Sequence, residues 1–338
     1  MKIDLRSDTV TKPSAEMLEA MLRAEVGDDV FNEDVETNKL ESFVAGMFQK
    51  EAALFCASGT MANQIAIRVH TAPGDEVICD VHSHIFNYET GGIAANSGAQ
   101  AKLLYGKNGK LDAGLISAAV NAEFDWLANT GLVALENTVN KAGGTFYSYN
   151  EILPISKLCR EKKLPLHLDG ARLFNALVET NETPIQHGSL FDSISICLSK
   201  GLGAPVGSVL MGSKPFIQKA RRIRKQFGGG MRQVGYLAAA GRFALENNID
   251  RLKEDHFKAR KISETLLKCS WVKECNPVQT NIVIFHTENA NIATEVMKKL
   301  NAQNILVSSF GPQTIRMVTH LDFTNEQLER LLNVLPSI

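Results

Sequence analysis

The sequence predicts an α/β fold: a large domain round a mostly parallel sheet, then a small α+β domain. Three observations lead there. Between residues 50 and 210 short apolar runs alternate with helical patterns, and several runs are apolar at consecutive positions, as strands buried on both faces are. The last part of the chain repeats the alternation on a smaller scale and is long enough for a unit of its own. At 338 residues the chain exceeds a typical single core, so one large and one smaller domain are expected.

Residues 1–25 read as a polar arm, MKIDLRSDTVTKPS, and a helix over PSAEMLEAMLRA (13–24), opened by Pro13 and closed near Gly27. The acidic, turn-rich GDDVFNEDVETN that follows reads as a surface or interface loop, and a second helix is expected over KLESFVAGMFQ (39–49). The large domain, 26–245, should take its strands from AALFCAS (52–58), DEVICD (75–80), AKLLYG (101–106), GLVALEN (131–137), LPLHLDG (164–170), DSISICLSK (192–200) and GSVLMG (207–212). KPFIQKARRIRKQ (214–226) is a basic amphipathic helix whose charges read as a solvated face, and 233–262 reads as one long helix leaving the domain. The small domain, 246–338, continues with the strand NIVIFHT, a helix, the strand TIRMVTH and a last helix over NEQLERLLNVL. There is no internal repeat and no low-complexity tract.

Composition narrows the function. With 44% hydrophobic and 22% charged residues and a net charge of -1, the chain has no general affinity for nucleic acid or anionic membrane, so an anionic ligand must be captured locally. The basic run Lys219, Arg221, Arg222, Arg224, Lys225 lacks the aromatic interleaving of a nucleic-acid module. Six cysteines without a CxxC pair suit a reduced, cytoplasmic protein, and no segment approaches the length of a membrane span. Asn181-Glu182-Thr183 is then a chance sequon.

In open α/β sheets ligands lie beyond the carboxyl ends of the strands. There the sequence places Ser58-Gly59-Thr60, His82 and His84, Glu136-Asn137, Asp169 with Arg172, and Lys200. Burial at a strand mouth favours the neutral amine a nucleophilic lysine needs, against the plainer reading of a lysine that snorkels outward. Gly201, Gly203 and Gly207 suggest room beside Lys200 for a ligand or a close backbone. Asp169 and Arg172 could be a structural ion pair, yet a protonated heterocycle nitrogen would serve the aspartate equally well. Ser58-Gly59-Thr60 opens a helical pattern and so offers an anion cup, though such caps are common and no P-loop is present. A histidine could cover a flat ring and move protons; the choice between His82 and His84 stays open on spacing alone. No metal site is expected from that pair, because no Cys or carboxylate ligand sits at suitable local spacing. Arg232, after three glycines, is free to reach a phosphate. Lysine, aspartate, anion cup and arginine together are what pyridoxal phosphate requires.

Ten motifs in order, IDLRSDTVTKP (3–13), VGDDVF (26–31), KEAALF (50–55), SGTMAN (58–63), SHIFNYETGG (83–92), HLDGARLFNA (167–176), CLSKGLGAPVGS (197–208), GGGMRQ (228–233), LKEDH (252–256) and IRMVTH (315–320), make the chain resemble the threonine aldolase family. The resemblance implies a pyridoxal phosphate enzyme with an aminotransferase-like large domain, assembled as a homotetramer of dimers that share active sites. By the same resemblance Lys200 would bind the cofactor covalently, Asp169 would pair with its ring nitrogen and His84 would stack on the ring. Ser58, Gly59 and Thr60 would hold the phosphate with Arg232, from its own or a neighbouring subunit. Ser7, Arg172 and Arg316 would take the substrate carboxylate, Arg172 next to the cofactor as well. The implied reaction is aldol cleavage of L-threonine, L-allo-threonine or a related β-hydroxy-α-amino acid such as phenylserine to glycine and an aldehyde, with Lys200, His84 and Asp169 as catalytic groups. Trp126, Asn129, Val139 and Phe31 depart from the family pattern, and Trp126, Asn129 and Phe31 are expected to reshape the region round the β-substituent. A β-eliminating lyase of the same fold is the alternative enzyme. A binding protein that merely keeps the fold would be marked by loss of Lys200 or Asp169, and both are present.

Overall fold

The computed structural model describes residues 1–338. Its strands are β1 (Ile3–Asp4), β2 (Ala52–Cys56), β3 (Glu76–Asp80), β4 (Gln100–Leu104), β5 (Thr130–Glu136), β6 (Leu166–Gly170), β7 (Ser193–Cys197), β8 (Ser208–Gly212), β9 (Glu274–Cys275), β10 (Ile282–His286), β11 (Ile305–Leu306), β12 (Ser308–Gly311) and β13 (Thr314–Val318). Strands β2 to β8 form one sheet in the spatial order β2, β8, β7, β6, β5, β3, β4. All run the same way except β8, which is antiparallel to both β2 and β7. The loop 198–207 is too short for the crossover that a parallel return would need, so β8 must double back.

Strands β3, β5, β6, β7 and β8 are buried along their whole length, as their unbroken apolar runs require, whereas β4 at the edge is partly exposed. Alternation in β2 shows the two covered faces: Ala53 and Phe55 join the core that includes Leu40, Val44 and Phe48, while Leu54 and Cys56 pack with Ile65, Phe216 and Ile217. The C-terminal sheet, in the order β12, β13, β10, β9, is antiparallel. Its core contains Val283, Phe285, Met317 and Leu331, and also Ile3 and Leu5 of the arm. Strand β1 pairs in parallel with β11, Ile3 opposite Ile305. The first residues of the chain are therefore stitched to the last third.

Five local expectations are corrected. The first helix is Ala15–Leu22, and Ser14 rather than Pro13 caps it, its hydroxyl accepting from the Met17 N–H at 3.2 Å. The second starts at Val35, earlier than apolar spacing suggested, because Asp34 caps it and accepts from the Thr37 N–H at 2.9 Å. The acidic stretch before it is only partly a surface loop: residues 30–33 are exposed, but Asp29 and Asp34 are buried. Asp29 accepts a 2.5 Å bond from Arg224, and Arg221 donates to Glu41 at 2.7 Å, so part of the basic face of helix Lys214–Gln226 is internal ion pairing. Finally, 233–262 is not one helix: it breaks between Gly235–Asn247 and Leu252–Leu266. The break falls at Asn248, whose amide donates to the Leu202 carbonyl at 2.8 Å, and Arg251 donates to the Gly201 carbonyl at 3.2 Å. The interruption clamps the loop that follows Lys200.

Candidate active site

Five of the side chains singled out from sequence, Ser7, His84, Arg172, Lys200 and Arg316, line one cavity of about 460 Å³ beyond the carboxyl ends of β3, β6 and β7. Lys200 is partly buried, and its carbonyl accepts from the Thr11 hydroxyl at 2.9 Å, which draws the arm across the site. The nearby glycines do not keep space open. A Cβ on Gly207, at φ +120, would lie 2.6 Å from the Phe55 ring, and one on Gly203, at φ +83, would lie 2.9 Å from Leu321. They permit close packing and left-handed backbone instead.

Arg172 does not pair with Asp169. Its Nε and Nη2 donate to the two carboxylate oxygens of Asp8 at 2.8 and 2.7 Å, a buried fork that leaves Nη1 for a ligand. Asn281 donates to the same carboxylate at 3.2 Å. Burial alone would raise the Asp8 pKa; the Arg172 charge and hydrogen bonds, the Lys200 charge and Asn281 overcome it and hold the carboxyl well below its ordinary range. Arg316, on β13, donates to Asn140 at 2.8 Å and to the Arg6 carbonyl at 3.0 Å, and stacks its guanidinium 4.7 Å from the Phe310 ring. Its Nε is buried without an acceptor. Burial, then the Arg172 charge, pulls the Arg316 pKa down to about 10. Two guanidiniums forced to face one cavity, each with a spare N–H, ask for an anion such as a carboxylate.

The two histidines lie in different surroundings. His82 is exposed, whereas His84 lines the cavity. The His84 backbone N–H donates to Glu136 at 2.7 Å, and Nδ1 lies 3.0 Å from the buried Glu89. A carboxylate only accepts, so Nδ1 carries the proton and Nε2 is left as the basic nitrogen. Burial disfavours a charge on this ring, but the Glu89 hydrogen bond and the charges of Asp169, Glu89 and Glu136 outweigh it and raise the pKa above the ordinary value. Burial and the Asp169 charge push Glu136 up to about 7.

Asp169 ends β6 and is buried, with Asn63 donating to Oδ2 at 2.8 Å and the Ala171 N–H to Oδ1 at 3.1 Å. No cationic side chain bonds it. A buried carboxylate with only neutral donors fits a protonated ring nitrogen, and this supports the pyridoxal phosphate reading from the protein's own geometry. The cup predicted for the phosphate is the start of helix Gly59–His70: the Ser58 hydroxyl accepts from the Met61 N–H at 3.1 Å, and Thr60 is exposed. A Cβ on Gly59 would lie 2.6 Å from Cys197 Sγ, so the cup abuts the end of the strand that carries Lys200.

Other expectations fare differently. Arg232 does not line the cavity: it is 58% exposed and pairs with Asp28 at 2.6 Å. Trp126 is 76% exposed and stacked on Phe124, Asn129 bonds Asp75 at the opposite end of β5, and Phe31 lies on the surface, so within the chain none of them borders the cavity. Val139 is buried in the main core. Tyr88, Asn140 and Phe310 border the cavity instead. The carboxylate missing from the local spacing round His84 arrives through the fold, since His84, Glu89 and Asp169 bring ligand atoms within 4.8 Å of one another. Sequence reasoning missed Asp8, Glu89 and Asn63. Glu89, five residues past His84 and just beyond the short helix His84–Asn87, was findable as its partner; Asp8 and Asn63 act across long stretches of chain.

The sequence profile described as Beta-eliminating lyase matches residues 4–290. The chain is similar to low-specificity L-threonine aldolase 1 of Arabidopsis thaliana, 39% identical over 338 residues that cover 98% of this chain and 94% of the relative. It is also similar to the low specificity L-threonine aldolase of Escherichia coli (strain K12), 41% identical over 329 residues that cover 96% of each. Among solved structures, the threonine aldolase of Leishmania major shares its fold, with a TM-score of 0.87, 24% identity and 99% of both chains covered.

Proposed function

The chain belongs to the beta-eliminating lyase family, and from that premise we infer a pyridoxal phosphate-dependent threonine aldolase. It cleaves L-threonine or L-allo-threonine, or a related β-hydroxy-α-amino acid such as phenylserine, to glycine and an aldehyde. The observation that supports this best is one cavity gathering a lysine, an imidazole and two arginines, beside a buried aspartate that lacks a cationic partner.

In this reading Lys200 holds the cofactor covalently through Nζ, Asp169 accepts from its ring nitrogen, His84 covers its face, and Ser58, Gly59 and Thr60 cradle its phosphate. When bound, pyridoxal phosphate supplies the electron sink that makes cleavage next to an amino group possible. Arg172 Nη1 and the Arg316 guanidinium would take the substrate carboxylate, with Ser7 beside them. Fixing that carboxylate would orient the substrate so that its Cα–Cβ bond, rather than the Cα proton, is the one presented for cleavage. His84 Nε2, directly or through a water, removes the proton from the β-hydroxyl, while Glu89 holds Nδ1–H and so fixes the tautomer. Arg232, exposed and remote from its own cavity, would complete the phosphate cup of a second copy. Supported by that geometry and the resemblance, a cytoplasmic homotetramer of dimers is the proposed assembly.

Purified protein given L-threonine is expected to release glycine and acetaldehyde; ammonia and a keto acid instead would overturn the aldolase reading. Borohydride should fix the cofactor onto Lys200, as peptide mapping would reveal, and attachment elsewhere would sink the assignment.

A further inference from the structure

Behind Asp169 lies a line of buried polar side chains that the reaction as described does not use. Asn63, on helix Gly59–His70, donates from Nδ2 to Asp169 at 2.8 Å and to Glu89 at 2.9 Å. Its Oδ1 receives the Ser195 hydroxyl at 2.7 Å and faces His167 Nε2 at 3.2 Å. His167 Nδ1 lies 2.8 Å from the Ser193 hydroxyl, which in turn lies 2.8 Å from His70 Nε2. Asn63, His167, Ser193 and Ser195 are at most 1% exposed, and His70 is partly buried at the far end. The register of the sheet builds the line: Asp169 is opposite Ser195, and His167 opposite Ser193.

The direction of every bond follows from one constraint. Carboxylates only accept, so the Asn63 amide must turn its NH2 towards Asp169 and Glu89, and its oxygen towards His167 and Ser195. His167 must then carry its proton on Nε2. Burial lowers the His167 pKa to about 3 and that of His70 to about 4, so both rings are neutral near neutral pH. A neutral His167 accepts at Nδ1 from the Ser193 O–H, and Ser193 accepts from His70 Nε2–H. All four donors point the same way, towards Asp169, and hydrogen bonds aligned head to tail polarise one another.

We propose that Asn63, His167 and Ser193 are positioning residues for the reaction: through this aligned chain they stabilise the negative charge of Asp169 and fix its aim at the ring nitrogen of the cofactor. This rests on the assignment of Asp169 to that nitrogen. None of the three needs to touch substrate; their effect passes through Asp169.

The test compares His167→Leu, which deletes the donor to Asn63, with His167→Gln, whose side-chain amide can replace it. With cofactor saturating, His167→Leu should lose up to about tenfold in kcat, the upper scale of one hydrogen bond between neutral groups, while the KM for L-threonine stays put because the arginines are untouched. Cofactor titrated into the stripped protein should bind about tenfold more weakly. His167→Gln should recover both. Ser193→Ala, three hydrogen bonds from Asp169, should shift both in the same direction by about threefold, and it decides the matter if His167→Leu does not fold. Parental kcat and cofactor affinity in the soluble variants would overturn the proposal, as would a loss confined to KM. Parental turnover by Asp169→Ala would mark a different failure, that of the ring-nitrogen assignment itself.

Discussion

Arg172 is aimed by Asp8, and that changes what each residue near the carboxylate clamp should do when replaced. Asp8→Asn keeps the shape but loses the charged fork, so the KM for L-threonine should rise about tenfold with the cofactor's visible band retained; an unchanged KM would show that Arg172 needs no anchor. The same carboxyl predicts an acid limit. Its folded pKa lies below the ordinary 3.8, so its contribution to stability is complete above 3.8 and disappears as pH falls towards the depressed value. Thermal denaturation across that acid range should therefore be steeper for the parent than for Asp8→Asn. Glu89→Gln makes a separate prediction. His84 works as a base when neutral and its pKa is raised above 6.5, so kcat/KM should climb through a midpoint above that value. Removing the Glu89 charge leaves burial dominant and should move the midpoint to lower pH; a fixed midpoint would exclude His84 as the titrating base. Lys200 and Asp169 were legible because strand ends announce them, whereas His84 could be told from His82 only through the family resemblance. Asp8 was not, since its partner lies 164 positions away and no periodicity connects them.

Among the elements, the loop between β7 and β8 is held from several sides. Gly207 has φ +120 with the Phe55 ring where a Cβ would sit, so Gly207→Ala should cost about 1–3 kcal/mol in backbone strain alone, with more from crowding, measurable as a lower urea midpoint. An unchanged midpoint would mean the loop relaxes freely. The helix break at Asn248 belongs to the same system, as Asn248 and Arg251 bind the Leu202 and Gly201 carbonyls. The strands of the large sheet were legible to within about three residues, most of them because burial on both faces leaves an unbroken apolar run, whereas the short β1, β9, β11 and β12 were missed because so few residues carry no pattern. The break was not, because apolar spacing continues on either side and only the hydrogen-bonding demand of a distant loop interrupts it. The acidic stretch 27–38 misled for a similar reason: Asp29 and Asp34 are buried against an arginine and a helix start, which composition cannot distinguish from solvent.

For the whole molecule, the shared-site proposal has a direct check. Lys200→Ala should be inactive, and Arg232→Ala weak if the arginine serves a second copy. Mixed and reassembled, half the dimers pair one of each, and one of their two sites carries neither defect, so about a quarter of parental activity should return. No recovery would place Arg232 outside any shared site. The arm, finally, sets a schedule for synthesis. Strand β1 finds its partner only at Ile305, and Asp8 meets Asn281 only when the C-terminal sheet exists. Until the C-terminal sheet is made, β1 has no partner strand and the Asp8 carboxylate, though Arg172 is already present, lacks the Asn281 amide that helps to hold it. The segment around β1 should stay protease-sensitive in the nascent chain until residues past Ile305 have emerged, and the clamp for substrate, which needs Arg316, is completed only later still.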